Sequence, residues 1–210
     1  MGYKGIIFDL DGTLVTTKYE HRKIVLEKTL SDFGKPLPIE VIDKFWFEGN
    51  RDKIIKEIFE VNPSNFWTVY ESYDTPEFRK KFTKPYDDVG FVLELKKRGY
   101  KTGVVTSAPV EIAKMETEMV GKEFFDSIVV AHTLNGFIPK PNPSGLEQCL
   151  LNLGIKNTES IFIGNSDEDV NAARNANILD VLINRKEYFY KNLNPSLSIE
   201  SLYDLDKFLS

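Results

Sequence analysis

Gly5-Ile6-Ile7-Phe8-Asp9-Leu10-Asp11-Gly12-Thr13-Leu14 is the stretch from which the fold of this chain can be read. Its first four residues carry no charge. A continuously apolar run of that length predicts a short strand, Lys4 to Leu10, covered on both faces, because a strand with one wet face alternates. The run ends in two acids spaced two apart. On a chain just leaving a strand such acids can point the same way, and like charges held that close are unfavourable unless a cation lies between them. Hard oxygen ligands suit magnesium, which keeps several waters. Gly12 lets the backbone come close to an anion, and the turn at Asp11-Gly12 offers N–H groups to it.

Working outward, the next part of the chain reads as helical. Leu26, Leu30 and Phe33 fall at helical spacing, with Gly34 closing the helix. Phe45 and Trp46 mark a second helix ending before Gly49. Ile54, Ile55, Ile58 and Phe59 mark a third, with Asn50 as its N-cap. Ser64 is read as the cap of a fourth, and Thr75-Pro76-Glu77 as cap, first-turn proline and acid of another. Nothing between about Thr16 and Lys84 reads as a strand. From Pro85 onward strands and helices alternate: strands at Lys101 to Thr106, Ile128 to Ala131, Ser160 to Ile163 and, last, Asp180 to Ile183, then a helix carrying Leu202, Leu205 and Leu209. Alternation of this kind implies an α/β fold, an open Rossmann-like parallel sheet with helices on both faces. The expected division is residues 1–15 with 85–210 as the α/β core domain and residues 16–84 as an inserted α-helical domain.

In such a sheet ligands bind beyond the carboxyl ends of the strands. Those ends carry Asp9 and Asp11, then Thr106 and Ser107, then Asn165, Asp167 and Asp169, with Lys140 in the loop after the third strand. Singly, each has a plain structural reading: Asp169 a surface acid, Lys140 a solvated lysine, Thr106 and Asn165 helix caps. Together, at successive strand ends, they read as one site. A phosphate brought to a metal there would find charge from Lys140 and a hydroxyl from Thr106.

Phe8-Asp9-Leu10-Asp11-Gly12-Thr13-Leu14 resembles the first motif of the haloacid-dehalogenase-like phosphatases. Val104-Val105-Thr106-Ser107 resembles their second, Lys140-Pro141-Asn142-Pro143 the third, and Ile163-Gly164-Asn165-Ser166-Asp167-Glu168-Asp169-Val170 the fourth. The order and approximate spacing match over nearly the whole chain, closest to the phosphoglycolate-phosphatase-like and sugar-phosphate-phosphatase-like members. The helical insertion resembles the family's small cap. The resemblance implies that Asp9 attacks phosphorus and forms an aspartyl-phosphate. It implies that Asp11 protonates the leaving alkoxide and then activates water, and that Thr106, Ser107 and Lys140 hold the phosphoryl oxygens. Magnesium would be held by Asp9, Asp11, Asn165 and Asp169. Asn165 departs from the pattern, since the family usually has an aspartate there; an amide oxygen ligates with one less negative charge. The implied substrate is a small phosphorylated metabolite. The loop Glu48-Gly49-Asn50-Arg51 resembles the family's substrate-facing cap loop, which makes Arg51 a candidate for binding the substrate's distal part. The plain reading of Arg51 is a solvated arginine near the start of a helix.

Composition narrows the alternatives. Hydrophobic residues make up 41% of 210, enough for a packed core, and the formal net charge of −5 argues against broad nucleic-acid binding. The one cysteine, Cys149, permits no intrachain disulfide and reads as a buried thiol. No secretory or membrane-spanning segment is legible, so a cytoplasmic enzyme without a membrane partner is expected. His21 reads as a helix-end residue, the aromatics Phe45, Trp46, Phe47, Phe59, Phe66 and Trp67 as packing of the insertion, and Arg79-Lys80-Lys81 as a solvated face. Two other functions share the same residues: a phosphosugar mutase, and a non-catalytic binding protein suggested by Asn165. A dehalogenase does not fit the acid at Asp11.

Overall fold

The first strand, β1 (Gly5–Phe8), lies at the middle of the larger sheet in the computed structural model, which describes residues 2–209. The chain then forms β2 (Val15–Thr17), α1 (Tyr19–Asp32), α2 (Ile42–Phe47), α3 (Arg51–Glu57), α4 (Pro63–Tyr73), α5 (Pro76–Arg79) and β3 (Thr83–Pro85). It continues with α6 (Phe91–Lys97), β4 (Lys101–Thr106), α7 (Val110–Val120), β5 (Ser127–Val130), α8 (Ser144–Leu153), β6 (Ser160–Gly164), α9 (Asp167–Asn175), β7 (Leu179–Ile183) and β8 (Leu197–Ile199). A 3₁₀ helix, Leu202–Lys207, follows. The larger sheet has 6 strands in the order β5-β4-β1-β6-β7-β8, and each neighbouring pair is parallel. The fold is the expected α/β one, a Rossmann-like parallel sheet flanked by helices.

The chain divides into two compact units at Thr16/Thr17 and at Lys84/Pro85. In the sheet unit, successive residues of one strand feed opposite cores, as the two-residue period requires. Ile6, Phe8, Val104, Ile161, Ile163, Val181 and Ile183 pack on one side with Phe91, Val92, Leu95, Leu202 and Leu205. Ile7, Val105, Val129 and Phe162 pack on the other with Leu146, Cys149, Ala172 and Ala173. Each such Ile, Leu or Phe contributes about 1.5–3 kcal/mol when fully buried. Cys149 is a buried thiol as expected: a Cβ added at Gly103 would lie 2.6 Å from its Sγ, so the glycine of β4 makes room for α8. Burial pushes that thiol up to about 12, which removes it as a nucleophile.

The helical unit has its own core, in which Phe45 is centred 5.7 Å from Phe59, 5.6 Å from Phe66 and 5.8 Å from Tyr70. The expected packing role holds for Phe45, Phe59, Phe66 and Trp67, whereas Trp46 and Phe47 lie against the Arg22 guanidinium. Several local expectations need correction. The chain crosses between units in strands, and β2 and β3 form a two-stranded sheet, so strand structure does enter Thr16 to Lys84. β8 was not expected. The cap of α4 is Asn62, whose side chain accepts from the Asn65 amide, because Pro63 takes the first helical position. Asn50 precedes α3 but does so with φ 63° and no side-chain cap bond. Arg79 is not solvated. It is 4% exposed, its Nη1 lies 3.0 Å from Asp74 Oδ2, and His21 Nε2 lies 3.1 Å from Asp74 Oδ1. Burial pushes the Asp74 carboxyl up, but Arg79 and His21 together hold it below the ordinary carboxylate value. Lys80 and Lys81 are exposed.

Candidate active site

Three neighbouring strands bring the expected residues to one rim. β1 leads into Asp9, β4 on one side of it ends at Thr106, and β6 on the other ends at Gly164, with Asn165 next in the chain. This is the edge at which the chain reverses direction across the sheet, the usual place for a ligand crevice.

Asp9 is buried, at 6% exposure. Its amide donates to the Ile163 carbonyl at 2.8 Å, which continues the β1–β6 ladder and fixes the backbone there. Its Oδ1 accepts from Lys140 Nζ at 2.5 Å and its Oδ2 from the Thr13 hydroxyl at 3.0 Å. Burial first, and then the neighbouring Asp169, push the Asp9 carboxyl up to about 7, with Lys140 acting against both.

Asp11 stands two residues on, at the start of a tight turn. Gly12 has φ +81°, its amide donates to Val15 O at 2.7 Å, and Leu14 donates to Leu10 O at 2.8 Å. Only glycine fits at position 12: a Cβ there would fall 2.2 Å from Asn165 Nδ2 and 2.9 Å from Oδ1. The Asn165 amide therefore lies directly against the turn that carries both acids. Its Oδ1 is 3.3 Å from the Thr13 hydroxyl, whose single proton is shared between Asn165 and Asp9.

Lys140 is 7% exposed, a depth at which a lysine needs partners. Its Nζ lies 2.5 Å from Asp9 Oδ1, 2.5 Å from Asp169 Oδ1 and 3.5 Å from Val105 O. Burial opposes the charge, yet Asp169 and Asp9 outweigh it and push the ammonium above its ordinary value. The Lys140 amide donates to Ser107 Oγ at 3.0 Å, which ties this loop to the end of β4. Thr106, buried, accepts from the Ala108 amide at 3.1 Å and so shapes the backbone after the strand.

Asp169 is 2% exposed, and both of its oxygens are committed. Oδ1 takes Lys140; Oδ2 accepts from the Ser166 amide at 3.0 Å and the Ser166 hydroxyl at 2.6 Å. Ser166 in turn caps α9 by accepting from the Asp169 amide, so the helix cap is Ser166 rather than Asn165. Gly164 is needed because a Cβ there would sit 2.3 Å from Asp169 Cβ.

Asp9, Asp11, Thr106, Ser107, Lys140, Asn165 and Asp169 thus share the rim of the sheet unit. Arg51 belongs to the helical unit. Its Nε donates to Phe45 O at 3.1 Å and its Nη2 to Trp46 O at 3.3 Å, so it satisfies carbonyls near the end of α2. Two residues acquire parts that the sequence reading did not give them. Thr13 holds the Asp9 carboxylate and Ser166 holds Asp169. The second was legible, since a serine three residues before an acid at a helix start is a capping-box signal.

Residues 6–183 match the family described as haloacid dehalogenase-like hydrolase. The chain is 27% identical over 207 residues to the pyrophosphatase PpaX of Halalkalibacterium halodurans, covering 95% of this chain and 94% of that protein. It is 29% identical over 177 residues to a phosphoglycolate phosphatase of Aquifex aeolicus, covering 81% and 80%. The crystal structure of a predicted phosphatase from Clostridium acetobutylicum superposes with a TM-score of 0.83 at 24% identity, covering 99% of this chain and 98% of that one, which is a likeness of fold. The chain belongs to the haloacid dehalogenase-like hydrolases. Within them it is an enzyme of the phosphatase kind, as its curated relatives are. Among the described residues no helix is long and apolar enough to cross a membrane.

Proposed function

We propose that the protein hydrolyses a small phosphomonoester with magnesium, through an aspartyl-phosphate on Asp9. One observation carries this reading: Lys140 Nζ lies within 2.5 Å of both Asp9 and Asp169 at the carboxyl edge of the sheet. A buried ammonium between two carboxylates, beside a half-buried third acid at Asp11, is an arrangement for handling a dense anion.

The donor set suits a hard divalent cation. Asp9, Asp11 and the Asn165 amide oxygen are all oxygen ligands, and the acids Asp9, Asp11 and Asp169 outnumber the single cation Lys140. In this reading Asp9, the Asp11 backbone carbonyl, Asn165 and Asp169 would hold the ion, although Lys140 and Ser166 occupy the oxygens of Asp169. When bound, the ion supplies charge neutralisation for the transferring phosphoryl group. The chain's own groups do the rest. Lys140, Thr106, Ser107 and the amides of the Asp11-Gly12 turn orient the phosphoryl oxygens. Thr13 holds one Asp9 oxygen so that the other faces phosphorus. Asp11 gives a proton to the departing alkoxide, and the same carboxylate then takes one from the water that hydrolyses the Asp9 acyl phosphate.

Residues 17–84 are read as the family's cap, the part that selects the substrate. Arg51 in this reading braces the loop after α2, on the strength of its two bonds to carbonyls there. The relatives' names suggest pyrophosphate and phosphoglycolate as first substrates to try. Release of phosphate from a panel of these and of sugar phosphates, with magnesium and with chelator, tests the reading. Release that depends on magnesium supports it. No release from any member, or full release after chelation, contradicts it. Isomer formed only in the presence of a bisphosphate, with little phosphate freed, would assign a mutase instead.

Asn165→Asp is expected to lower the magnesium concentration needed for half-maximal rate by about tenfold or less, since a carboxylate adds charge at the ion. A magnesium titration of both proteins checks this. An unchanged or raised requirement would remove Asn165 from the ion's neighbourhood.

A further inference from the structure

The turn that carries Asp11, Gly12 and Thr13 is held from outside by a residue that no motif contains. After β7 the chain turns at Asn184, and Arg185 follows with its side chain 8% exposed. Arg185 Nε and Nη2 both donate to the Thr13 carbonyl, at 3.2 and 2.7 Å. The same guanidinium forks onto Asp88, with Nη1 2.7 Å from Oδ2 and Nη2 3.0 Å from Oδ1. It also lies 4.0 Å over the Tyr86 ring. Asp88 is itself pinned, because the Ser201 hydroxyl and the Leu202 amide both donate to its Oδ2 at 2.8 Å. One residue pair further along, Glu187 accepts from Thr16 at 2.7 Å and from the Tyr86 hydroxyl at 2.5 Å.

We infer that Arg185 is a positioning residue for phosphoryl transfer: it fixes the Thr13 backbone so that the Thr13 hydroxyl holds Asp9 and Asn165 in register. The chain of contacts is continuous. The carbonyl of Thr13 is taken by Arg185, and its hydroxyl is 3.0 Å from Asp9 Oδ2 and 3.3 Å from Asn165 Oδ1. A planar fork is suited to this work, since it fixes orientation as well as distance, and a lysine cannot span both partners. The cation–π contact with Tyr86 and the two donors on Asp88 lock the fork in place. The turn has φ +81° at Gly12 and is closed by local backbone bonds; the Tyr86 amide, donating to Leu14 O at 3.0 Å, ties its far end, and Arg185 ties the Thr13 carbonyl next to the glycine, where the freedom that glycine brings is greatest. Misplacing a reacting group by about 1 Å costs on the order of 100-fold in rate.

The inference rests on Asp9 being the nucleophile, so its test has one arm that needs no activity. Hydrogen exchange of the segment 10–16 is compared with that of β4 in wild type, Arg185→Ala and Arg185→Lys, at matched temperature below unfolding. Steady-state kinetics are then measured on a hydrolysed phosphate ester. Faster exchange confined to 10–16, with kcat down about 10- to 100-fold in Arg185→Ala and KM within about threefold, is the expected result. Arg185→Lys should fall between, and it carries the test should the alanine variant fail to fold. Unchanged exchange in 10–16, equal acceleration in β4, or an unaltered kcat would each overturn the inference. A wild-type enzyme that hydrolyses no phosphate would instead overturn the proposed function, while the exchange arm still decides whether Arg185 holds the turn.

Discussion

Asp9→Asn is expected to lower kcat by on the order of 10⁴- to 10⁶-fold, the scale seen when a covalent nucleophile is removed. An amide neither displaces the alkoxide from phosphorus nor leaves a hydrolysable acyl phosphate. The fold should survive. The amide oxygen keeps the acceptor for the Thr13 hydroxyl, and Lys140 keeps Asp169 as its second carboxylate. The substitution also removes the repulsion between Asp9 and Asp169 that helps push Asp9 up to about 7. The loss of one Lys140 partner and the relief of that repulsion act in opposite directions, so stability should stay within about 1–2 kcal/mol of wild type. Phosphate release and thermal unfolding on the same preparation check this. A rate within about tenfold of wild type, at matched stability, would remove Asp9 from the chemistry.

Lys140→Met should fail in both respects. Methionine fills the space of the stem, but Asp9 and Asp169 are then two buried carboxylates without their ammonium. Breaking a buried pair from one side costs about 3–5 kcal/mol. Stability is measured in chelator, where added cation does not stand in for the lysine, and the rate is measured with magnesium. The rate should fall by about 10²- to 10³-fold from loss of a phosphoryl-oxygen donor. Adding Asp169→Asn to Lys140→Met separates the two losses. Removing the second carboxylate should restore a large part of the stability and none of the rate. A Lys140→Met protein as stable as wild type would mean that the pairing at 2.5 Å contributes nothing to folding.

The sheet was legible because parallel strands buried on both sides run apolar. Gly5–Phe8, Val104–Val105 and Ile161–Ile163 announce themselves, and their ends mark the rim. β8, with Leu197 and Ile199 about a serine and lying at the sheet edge, carries too few apolar residues to be told from a loop. β2 and β3 are three residues each, and their threonines Thr17 and Thr83 bond to each other at 2.9 Å, a pairing between residues far apart in sequence. The burial of Arg79 was hidden for a different reason: its partner Asp74 is only five residues away, but a charged triplet gives no hint that the pair turns inward. The cap of α4 was legible and misread, since a proline at the first helical position places the cap one residue before it, at Asn62. In the site, each acid and the lysine stood out by spacing, whereas Thr13 and Arg185 act through partners at Asn165 and Asp88 that only the folded chain brings near.

The central proposal is a phosphoryl group carried on Asp9, and borohydride reduction during turnover tests it most directly. An acyl phosphate at that side chain is reduced to an alcohol, converting the residue to homoserine, which mass spectrometry of the N-terminal peptide reads. Homoserine at position 9 alone, formed only with magnesium and a hydrolysed substrate together and absent from Asp9→Asn, is the predicted result. Steady turnover with no modification at position 9, or with the modification at another acid, would contradict it.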